Sequence, residues 1–243
     1  MTSVRSLPTV LDLVNPVAAR AILVGDPGRA LTIAQRLLER PPLMSNHRRG
    51  LWGYTGTASD GAPLTVQSTG VGGASAVPVV RELAAAGVTR MVRAGSALPL
   101  GDAPVEDDPV PLAVVTAAVA RDGASRALGV ADAARLTPDP DLTARIGAAV
   151  ERRLTVVSVD LLPQDGGVPS AHGVADATDR QSAAFLAAAA RWGVTAAIVV
   201  ALPPAVQTEQ QREQWWHELG AAAARAYGLT VQPPAAPLTS TRP

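Results

Sequence analysis

The 243-residue sequence contains no cysteine, and aromatic residues make up only 3% of it. Without cysteine the chain can form neither a disulfide nor a thiolate metal site, and a cysteine nucleophile is excluded. An excess of charge of either sign is also missing, because 21 Lys and Arg residues balance 21 Asp and Glu residues. A nucleic-acid-binding protein is expected to carry a basic surface, so we do not expect nucleic acid among the partners.

Long apolar runs are missing as well. No run reaches the ~18–20 residues that a membrane-spanning helix needs, and the first residues lack the apolar stretch of a signal peptide. We therefore expect a cytoplasmic protein that does not contact a membrane. The three histidines, at positions 47, 172 and 217, do not have metal-ligand spacing, so no metal site is predicted. Hydrophobic residues still make up 47% of the chain, which is enough to form a sizeable core.

Apolar runs alternate along the chain with segments in which apolar residues recur at helical spacing. This alternation is typical of βαβ units, so we predict one α/β domain with a central mixed β-sheet flanked by helices. The domain is expected to span residues 8–228, and the segment 229–243, rich in Pro, Ser and Thr, to be a disordered tail. The predicted strands are 18–24, 54–57, 64–68, 91–94, 112–119, 155–159 and 194–202, and the predicted helices are 29–38, 74–86, 141–153, 179–192 and 209–227.

Two of the predicted strands run into glycine turns that open helices. Residues 25–29 read Gly-Asp-Pro-Gly-Arg, and residues 68–75 read Ser-Thr-Gly-Val-Gly-Gly-Ala-Ser. Free backbone amides at such a turn form an anion site, and Arg29 would add a charge-assisted contact. The first motif also fits a plain strand-to-helix turn. Neither motif is the Gly-x-Gly-x-x-Gly that opens a dinucleotide-binding unit.

Arg93 lies near the end of a predicted buried strand and is followed at 94–96 by Ala-Gly-Ser. A buried guanidinium needs an anionic partner, because its desolvation is otherwise costly. Ligands of open α/β sheets bind at the carboxyl ends of the strands, which favours a ligand anion. An internal salt bridge is the alternative.

Together these stretches resemble the nucleoside phosphorylase family, which comprises hexameric purine and uridine phosphorylases and related nucleosidases. The matching motifs occur in the order and spacing of that family and cover about residues 8–227. The Asp-Gly-Ala-Ser stretch at 122–125 and the glycine turn at 68–73 look closer to the uridine branch. The matching stretches are 25–29, 54–57, 68–75, 93–96, 122–125 and 182–184.

The resemblance implies a site for inorganic phosphate as co-substrate, with no other cofactor. In the family, a phosphate oxygen attacks the anomeric carbon of a nucleoside while the base leaves, and Arg93 is the candidate catalytic residue. A neighbouring subunit usually contributes a further arginine, which falls on Arg48 or Arg49, so a homodimer or a trimer of dimers is implied. The residues on phosphate-binding positions are Gly25, Arg29, Arg48 or Arg49, Arg93 and Ser96.

The nucleoside half of the site departs from the family pattern. The family carries Met-Glu before the late helix, where the Glu holds ribose hydroxyls, whereas this chain has Arg180 and Gln181. A histidine that reaches a neighbour's sugar site aligns with Thr9, and residues 202–204 are Leu-Pro-Pro where the two branches place base-binding side chains. The remaining candidates for binding a sugar or base are Asp179, Arg180, Gln181, Leu162 and Gln164, the last being a loose match to a pyrimidine-binding glutamine.

Three hypotheses follow from this pattern. The first is phosphate-dependent cleavage or formation of an N-glycosidic bond on an unusual nucleoside. The second is a catalytically silent family member that binds phosphate or a metabolite, or that partners an active paralogue. The third is a different reaction in which Asp179 or Arg180 has a new role, although Asp179 also fits a helix N-cap. Arg212 lies either near the site or on a solvated helix face.

Overall fold

The computed structural model describes residues 10–39, 41–100, 112–167, 174–203 and 208–231. Thr9, Pro204 and residues 232–243 of the predicted tail lie outside these ranges. The strands are β1 (Arg20–Val24), β2 (Leu43–Asn46), β3 (Gly53–Thr57), β4 (Pro63–Ser68), β5 (Arg90–Ser96), β6 (Leu98–Pro99), β7 (Leu112–Arg121), β8 (Arg135–Leu136), β9 (Arg153–Val159), β10 (Ala177–Asp179) and β11 (Thr195–Ala201). The helices are α1 (Pro27–Leu37), α2 (Gly73–Ala85), α3 (Gly123–Ala127), α4 (Pro140–Gly147), α5 (Ser182–Arg191) and α6 (Glu209–Arg225).

The strands of the described residues form one mixed sheet. Its order is β2-β3-β4-β1-β5-β11-β7-β9-β10-β6, with β8 paired to β7. Strands β4, β1, β5 and β11 are parallel neighbours, so their carboxyl ends lie at one edge. The prediction of an α/β domain with a central mixed sheet is confirmed.

The sheet is covered on both faces, as the sequence of β1 illustrates. All five residues of β1 are buried, and the strand alternates between two apolar clusters. Ala21 and Leu23 join the cluster that contains α2 and α5, whereas Ile22 and Val24 join the one that contains α1 and α6. This two-sided burial explains why residues 21–24 of β1 are all apolar. In the described part of the chain, no helix has the length and apolarity to span a membrane.

Strand β6 determines where β10 lies. Only Ala97 separates β5 from β6, and Leu98 of β6 pairs with Thr178 of β10. The carboxyl end of β10, which carries Asp179, therefore lies beside the carboxyl end of β5. This arrangement joins a late segment of the chain to the edge where the parallel strands end.

Several boundaries differ from those predicted. The predicted helix 179–192 begins only at Ser182, because Asp179 pairs with β9 as the last residue of β10. Helix α4 ends at Gly147 instead of 153, because Arg153 starts β9. Leu229, the first residue of the predicted tail, is 2% exposed and packs in the cluster that contains α6, and the extent of the tail stays a prediction.

Candidate active site

A cavity of about 530 Å³ opens at the edge where β1, β4, β5 and β10 end. The glycine turns after β1 and β4 form part of its wall, and the segment joining β10 to α5 forms another part. Most of the side chains and glycines that the sequence singled out meet there. They are Gly25, Arg29, Arg49, Arg93, Ser96, Leu162, Asp179, Arg180 and Gln181.

Arg93 is the most deeply buried cation of the cavity wall, at 6% exposed. Its Nη2 lies 3.1 Å from Oδ2 of Asp179, and its Nε donates to Oε1 of Gln181 at 3.2 Å. The internal salt bridge considered for this residue is therefore present. Nη1 is nevertheless buried without a hydrogen-bond partner. Burial lowers the pKa of Arg93, and the Asp179 carboxylate opposes that effect.

Gly95 makes room for this arrangement. A Cβ atom at position 95 would overlap the guanidinium of Arg93, two residues earlier on β5. The absence of a side chain therefore lets Arg93 fold across the strand end and face the cavity. Steric exclusion by the Arg93 side chain therefore explains the glycine in the Arg-Ala-Gly-Ser motif.

Arg29 approaches the same strand end from α1. Asp26 caps that helix by accepting from the backbone N–H of Arg29 at 2.8 Å, and Pro27 follows as a favourable first residue. The guanidinium donates from Nη1 to the Ala94 carbonyl at 3.4 Å and from Nη2 to Oγ of Ser96 at 3.1 Å. Its Nε is buried and has no hydrogen-bond partner.

The ionisation of Arg29 reflects its surroundings. Burial lowers the pKa of Arg29 to about 10, Asp26 opposes this effect, and the charge of Arg93 adds to it. Both guanidinium groups line the same cavity. A pKa of about 10 keeps Arg29 protonated at neutral pH, so this half-buried side chain brings a positive charge to the cavity wall.

The two candidates in the loop after β2 lie in different places. Arg49 lines the cavity of its own chain, with the left-handed backbone φ of 58°. Arg48 precedes it and is not among the lining residues. Of the two arginines that the sequence left undistinguished, Arg49 is the one on the cavity wall.

Asp179 is a buried carboxylate that is fully engaged by its neighbours. Its Oδ1 accepts from Oγ of Ser158 at 2.6 Å, and its Oδ2 accepts from Oγ of Ser182 at 2.6 Å besides pairing with Arg93. It also accepts from the backbone N–H groups of Gln181 and Ser182 at 3.2 Å, at the start of α5. The capping contact considered for Asp179 is present, although the residue itself belongs to β10.

Gln181 holds Arg93 against the glycine turn that follows β4. Its Nε2 donates to the carbonyls of Gly70 and Gly72 at 3.0 and 2.9 Å. Its Oε1 accepts from Arg93 and from Oγ1 of Thr69, the latter at 3.3 Å. Both hydrogens of the amide are donated within the protein. The side chain therefore connects the segment after β10 with the glycine turn after β4.

The remaining candidates lie towards the rim. Arg180 forms a salt bridge with Asp165, and this contact lowers the pKa of the Asp165 carboxyl. Leu162 is buried and lines the cavity, and its backbone N–H donates to Asp165 at 3.0 Å. Gln164 is exposed and is not among the lining residues.

Comparison with known proteins identifies the family. The model of the phosphorylase superfamily matches residues 19–174, which is well over half of the chain. The chain belongs to the phosphorylase superfamily. The resemblance to nucleoside phosphorylases is thereby confirmed, and the matched region includes both glycine turns and Arg93.

Individual relatives come from both branches of this superfamily. The chain is 33% identical over 160 residues to the uridine phosphorylase of Klebsiella aerogenes, covering 60% of this chain and 58% of that protein. It is 35% identical over 116 residues to the uridine phosphorylase of Escherichia coli, covering 44% and 40%. It is 42% identical over 81 residues to the DeoD-type purine nucleoside phosphorylase of Oceanobacillus iheyensis, covering 33% and 34%. The matches thus span between a third and three fifths of these relatives, and the closer likeness to the uridine branch stays a prediction.

Trp216 of α6 is a neighbour of the site that the sequence did not indicate. The Arg29 guanidinium carbon lies 5.8 Å from the centroid of its ring. The indole also packs beside Gly28 of α1, where a Cβ would lie 3.6 Å from the ring, an ordinary van der Waals distance. Because α6 is far from α1 along the chain, only the tertiary packing of the phosphorylase fold reveals this contact.

Proposed function

We propose that the cavity binds inorganic phosphate as a co-substrate for cleavage or formation of an N-glycosidic bond on an unusual nucleoside. The main support is that the guanidinium groups of Arg29 and Arg93 both line the cavity and that each has a buried N–H without a hydrogen-bond partner. Asp179 pairs with Arg93, whereas Arg29 is held only by an uncharged carbonyl and a hydroxyl, so an anion beside Arg29 would supply the charged partner that it lacks. The oxygens of one phosphate ion can accept from both guanidinium groups and from Ser96.

The proposed reaction follows from holding the nucleophile in place. A phosphate oxygen attacks the anomeric carbon, the new C–O bond forms as the C–N bond breaks, and the base leaves with the bonding electrons. Arg29 and Arg93 act by positioning and charge stabilisation, because a pKa of about 10 keeps Arg29 protonated at neutral pH. The reverse reaction uses the same contacts.

The base that leaves must be neutralised, and this requirement restricts the substrate. Among the described lining residues the carboxylates are Asp26 and Asp179. Asp179 is bound by Arg93 and two serines, and Asp26 caps α1. A nucleoside whose base is already cationic, because it is alkylated at a ring nitrogen, releases a neutral base without protonation and fits this site better than an ordinary nucleoside.

A second candidate function is binding without turnover. The specific observation in its favour is that Gln181 and Asp179 spend their hydrogen bonds on the protein itself. A silent member of the family would bind phosphate or a metabolite, or would associate with an active paralogue. The third hypothesis, a new reaction that uses Asp179, has less support, because both oxygens of that carboxylate are hydrogen-bonded to neighbouring serines.

One experiment separates these functions. The purified protein is titrated with inorganic phosphate by calorimetry, and then incubated with phosphate and a panel of natural and N-alkylated nucleosides. Release of free base with formation of a sugar 1-phosphate supports the first function. Phosphate binding without release from any nucleoside supports the second. Failure to bind phosphate overturns the first function and the phosphate-binding form of the second.

A further inference from the structure

A second cavity, of about 390 Å³, adjoins the first. The two cavities share Asp26, Arg29 and Ser96, so they meet at the guanidinium of Arg29. The far side of the second cavity is formed by α6, which contributes Arg212 and Trp216, and by the end of β11. The proposed phosphate site therefore continues into another chamber.

Arg29 is suited to contact ligands in both chambers. Its Nη1 and Nη2 bind the Ala94 carbonyl and the Ser96 hydroxyl, while Nε is buried without a partner. A guanidinium presents its donors along more than one edge, and each edge can accommodate an anion. One anionic group in the first cavity does not exhaust the donors of Arg29.

Trp216 brings a second cation to the same chamber. The guanidinium carbon of Arg212 lies 5.5 Å from the ring centroid of Trp216, and that of Arg29 lies 5.8 Å from it. The indole therefore orders both arginine side chains by cation–π contact. Arg212 also forms an ion pair with Glu209, in which Nη2 and Oε1 are 3.4 Å apart and the Glu209 side chain is 89% exposed. Such an exposed pair is weak, so a ligand anion can replace Glu209 as the partner of Arg212.

We propose that the second cavity binds a further phosphate group of the same ligand. The substrate class would then be a phosphorylated one, with two phosphate groups linked either directly or through a sugar. One group would lie between Arg93 and Arg29, and the other between Arg29 and Arg212. This inference rests on the proposed phosphate site and assigns to Arg212 a role in ligand specificity.

The test compares three probes by calorimetry: inorganic phosphate, inorganic pyrophosphate and a pentose 1,5-bisphosphate. At least one of the two-phosphate probes is expected to bind about tenfold more tightly than phosphate, a gain of ~1.4 kcal/mol. Pyrophosphate tests the direct linkage, and the bisphosphate tests a linkage through the sugar. Equal affinity for all three probes would overturn the inference while leaving the phosphate site intact.

Variants of Arg212 show whether the gain comes from the second chamber or from ligand charge alone. Arg212→Ala and Arg212→Gln are expected to remove the tenfold gain and to change the affinity for inorganic phosphate by less than about twofold. Arg225→Ala is the matched control, because Arg225 is an exposed arginine of the same helix that lines neither cavity. If Arg212→Ala and Arg225→Ala affect the two-phosphate probe equally, the assignment is wrong. If phosphate itself fails to bind, the proposed function fails first.

Discussion

The two arginines of the cavity wall, Arg29 and Arg93, have different partners, so removing each would leave a different group without its partner. Arg93 neutralises the buried carboxylate of Asp179, which is 2% exposed. Arg29 is held by a carbonyl and a hydroxyl, so its charge has no buried carboxylate as a direct partner. The two arginines should therefore contribute alike to anion binding but differently to stability.

Replacing the two arginines separately tests this difference. Arg29→Ala and Arg93→Ala are each expected to lower phosphate affinity about 10- to 100-fold, because each removes charge-assisted hydrogen bonds. Arg93→Ala should also lower the free energy of unfolding by about 3–5 kcal/mol, because Asp179 stays buried without its cation. Arg29→Ala should leave it unchanged or raise it. Calorimetry and urea denaturation measure both quantities.

Arg126→Ala is the control for this pair, because Arg126 is 68% exposed and lies 3.7 Å from the exposed carboxylate of Asp132. It should change neither quantity. A loss of stability in Arg29→Ala as large as that in Arg93→Ala would contradict the different roles assigned to them.

Gln181 offers a second test at the level of one side chain. Gln181→Glu removes the donor on which the carbonyls of Gly70 and Gly72 depend, so we expect the free energy of unfolding to fall by about 1–3 kcal/mol. Urea denaturation measures the change, and Gln164→Glu, at an exposed glutamine, is the matched control. Unchanged stability together with new activity on ordinary ribonucleosides would instead assign position 181 to sugar binding.

At the level of secondary-structure elements, the end of β5 controls the geometry of Arg93. We expect Gly95→Ala to displace the guanidinium, because the added Cβ would occupy its place. Phosphate affinity should fall by about tenfold or more, and the free energy of unfolding by about 1–3 kcal/mol. Calorimetry and denaturation measure these effects. Gly123→Ala, on α3 and outside the cavity, should preserve phosphate affinity, and an equal loss in both variants would contradict the steric argument.

The hairpin β3–β4 is tied to β1 by an ion pair that predicts a pH dependence. Arg20 binds Asp60 through two hydrogen bonds of 2.7 and 2.6 Å, which lower the pKa of Asp60 from 3.8 to about 2. The stabilisation is therefore complete above about pH 4 and is lost as the pH falls towards 2. Because the Asp60 side chain is 39% exposed, it amounts to less than about 1 kcal/mol.

Asp60→Asn isolates this contribution. The variant should be less stable than the natural chain at pH 7, and the difference should disappear between about pH 4 and pH 2 in denaturation curves. Asp132→Asn, in an exposed pair, serves as the control. A difference that grows as the pH falls would contradict the sign of the effect.

Elements with local signals were the ones the sequence predicted well. The strands before the glycine turns, the hairpin β3–β4 and helix α1 follow from apolar spacing and turn residues, which are properties of a few neighbouring positions. The three-residue strand β10 has no such signal, because it forms only by pairing with β6 and β9. The role of Gln181 was equally inaccessible, since its partner Gly70 lies 111 positions away.

On the scale of the whole molecule, apolar side chains remain exposed beside the loop that carries Arg49. Strand β2 is the terminal strand of the sheet, and it leaves Leu43 58% and Met44 39% exposed. An exposed apolar edge strand is a site for pairing with another chain. This surface suits the homodimer or trimer of dimers that the resemblance implies.

We expect Leu43→Glu to weaken self-association, because it places a charge in the apolar part of this surface. Light scattering coupled to size-exclusion chromatography should show an oligomer for the natural chain and a smaller species for the variant. Leu161→Glu replaces a similarly exposed leucine, 57% exposed in a different segment, and should keep the oligomer. A natural chain that elutes as a monomer would contradict the expected assembly.

The hydrogen bonds by which Gln181 connects Arg93 to the glycine turn after β4 limit how the binding preference of this protein can change. The segment 178–181 lines the cavity, and its Asp179 and Gln181 also hold Arg93, the arginine of the proposed anion site. A substitution of Asp179 or Gln181 that changes this wall of the cavity will also shift Arg93. Evolution and protein engineering would therefore have to adjust substrate preference and anion affinity together, with compensating changes in the turn at 69–72.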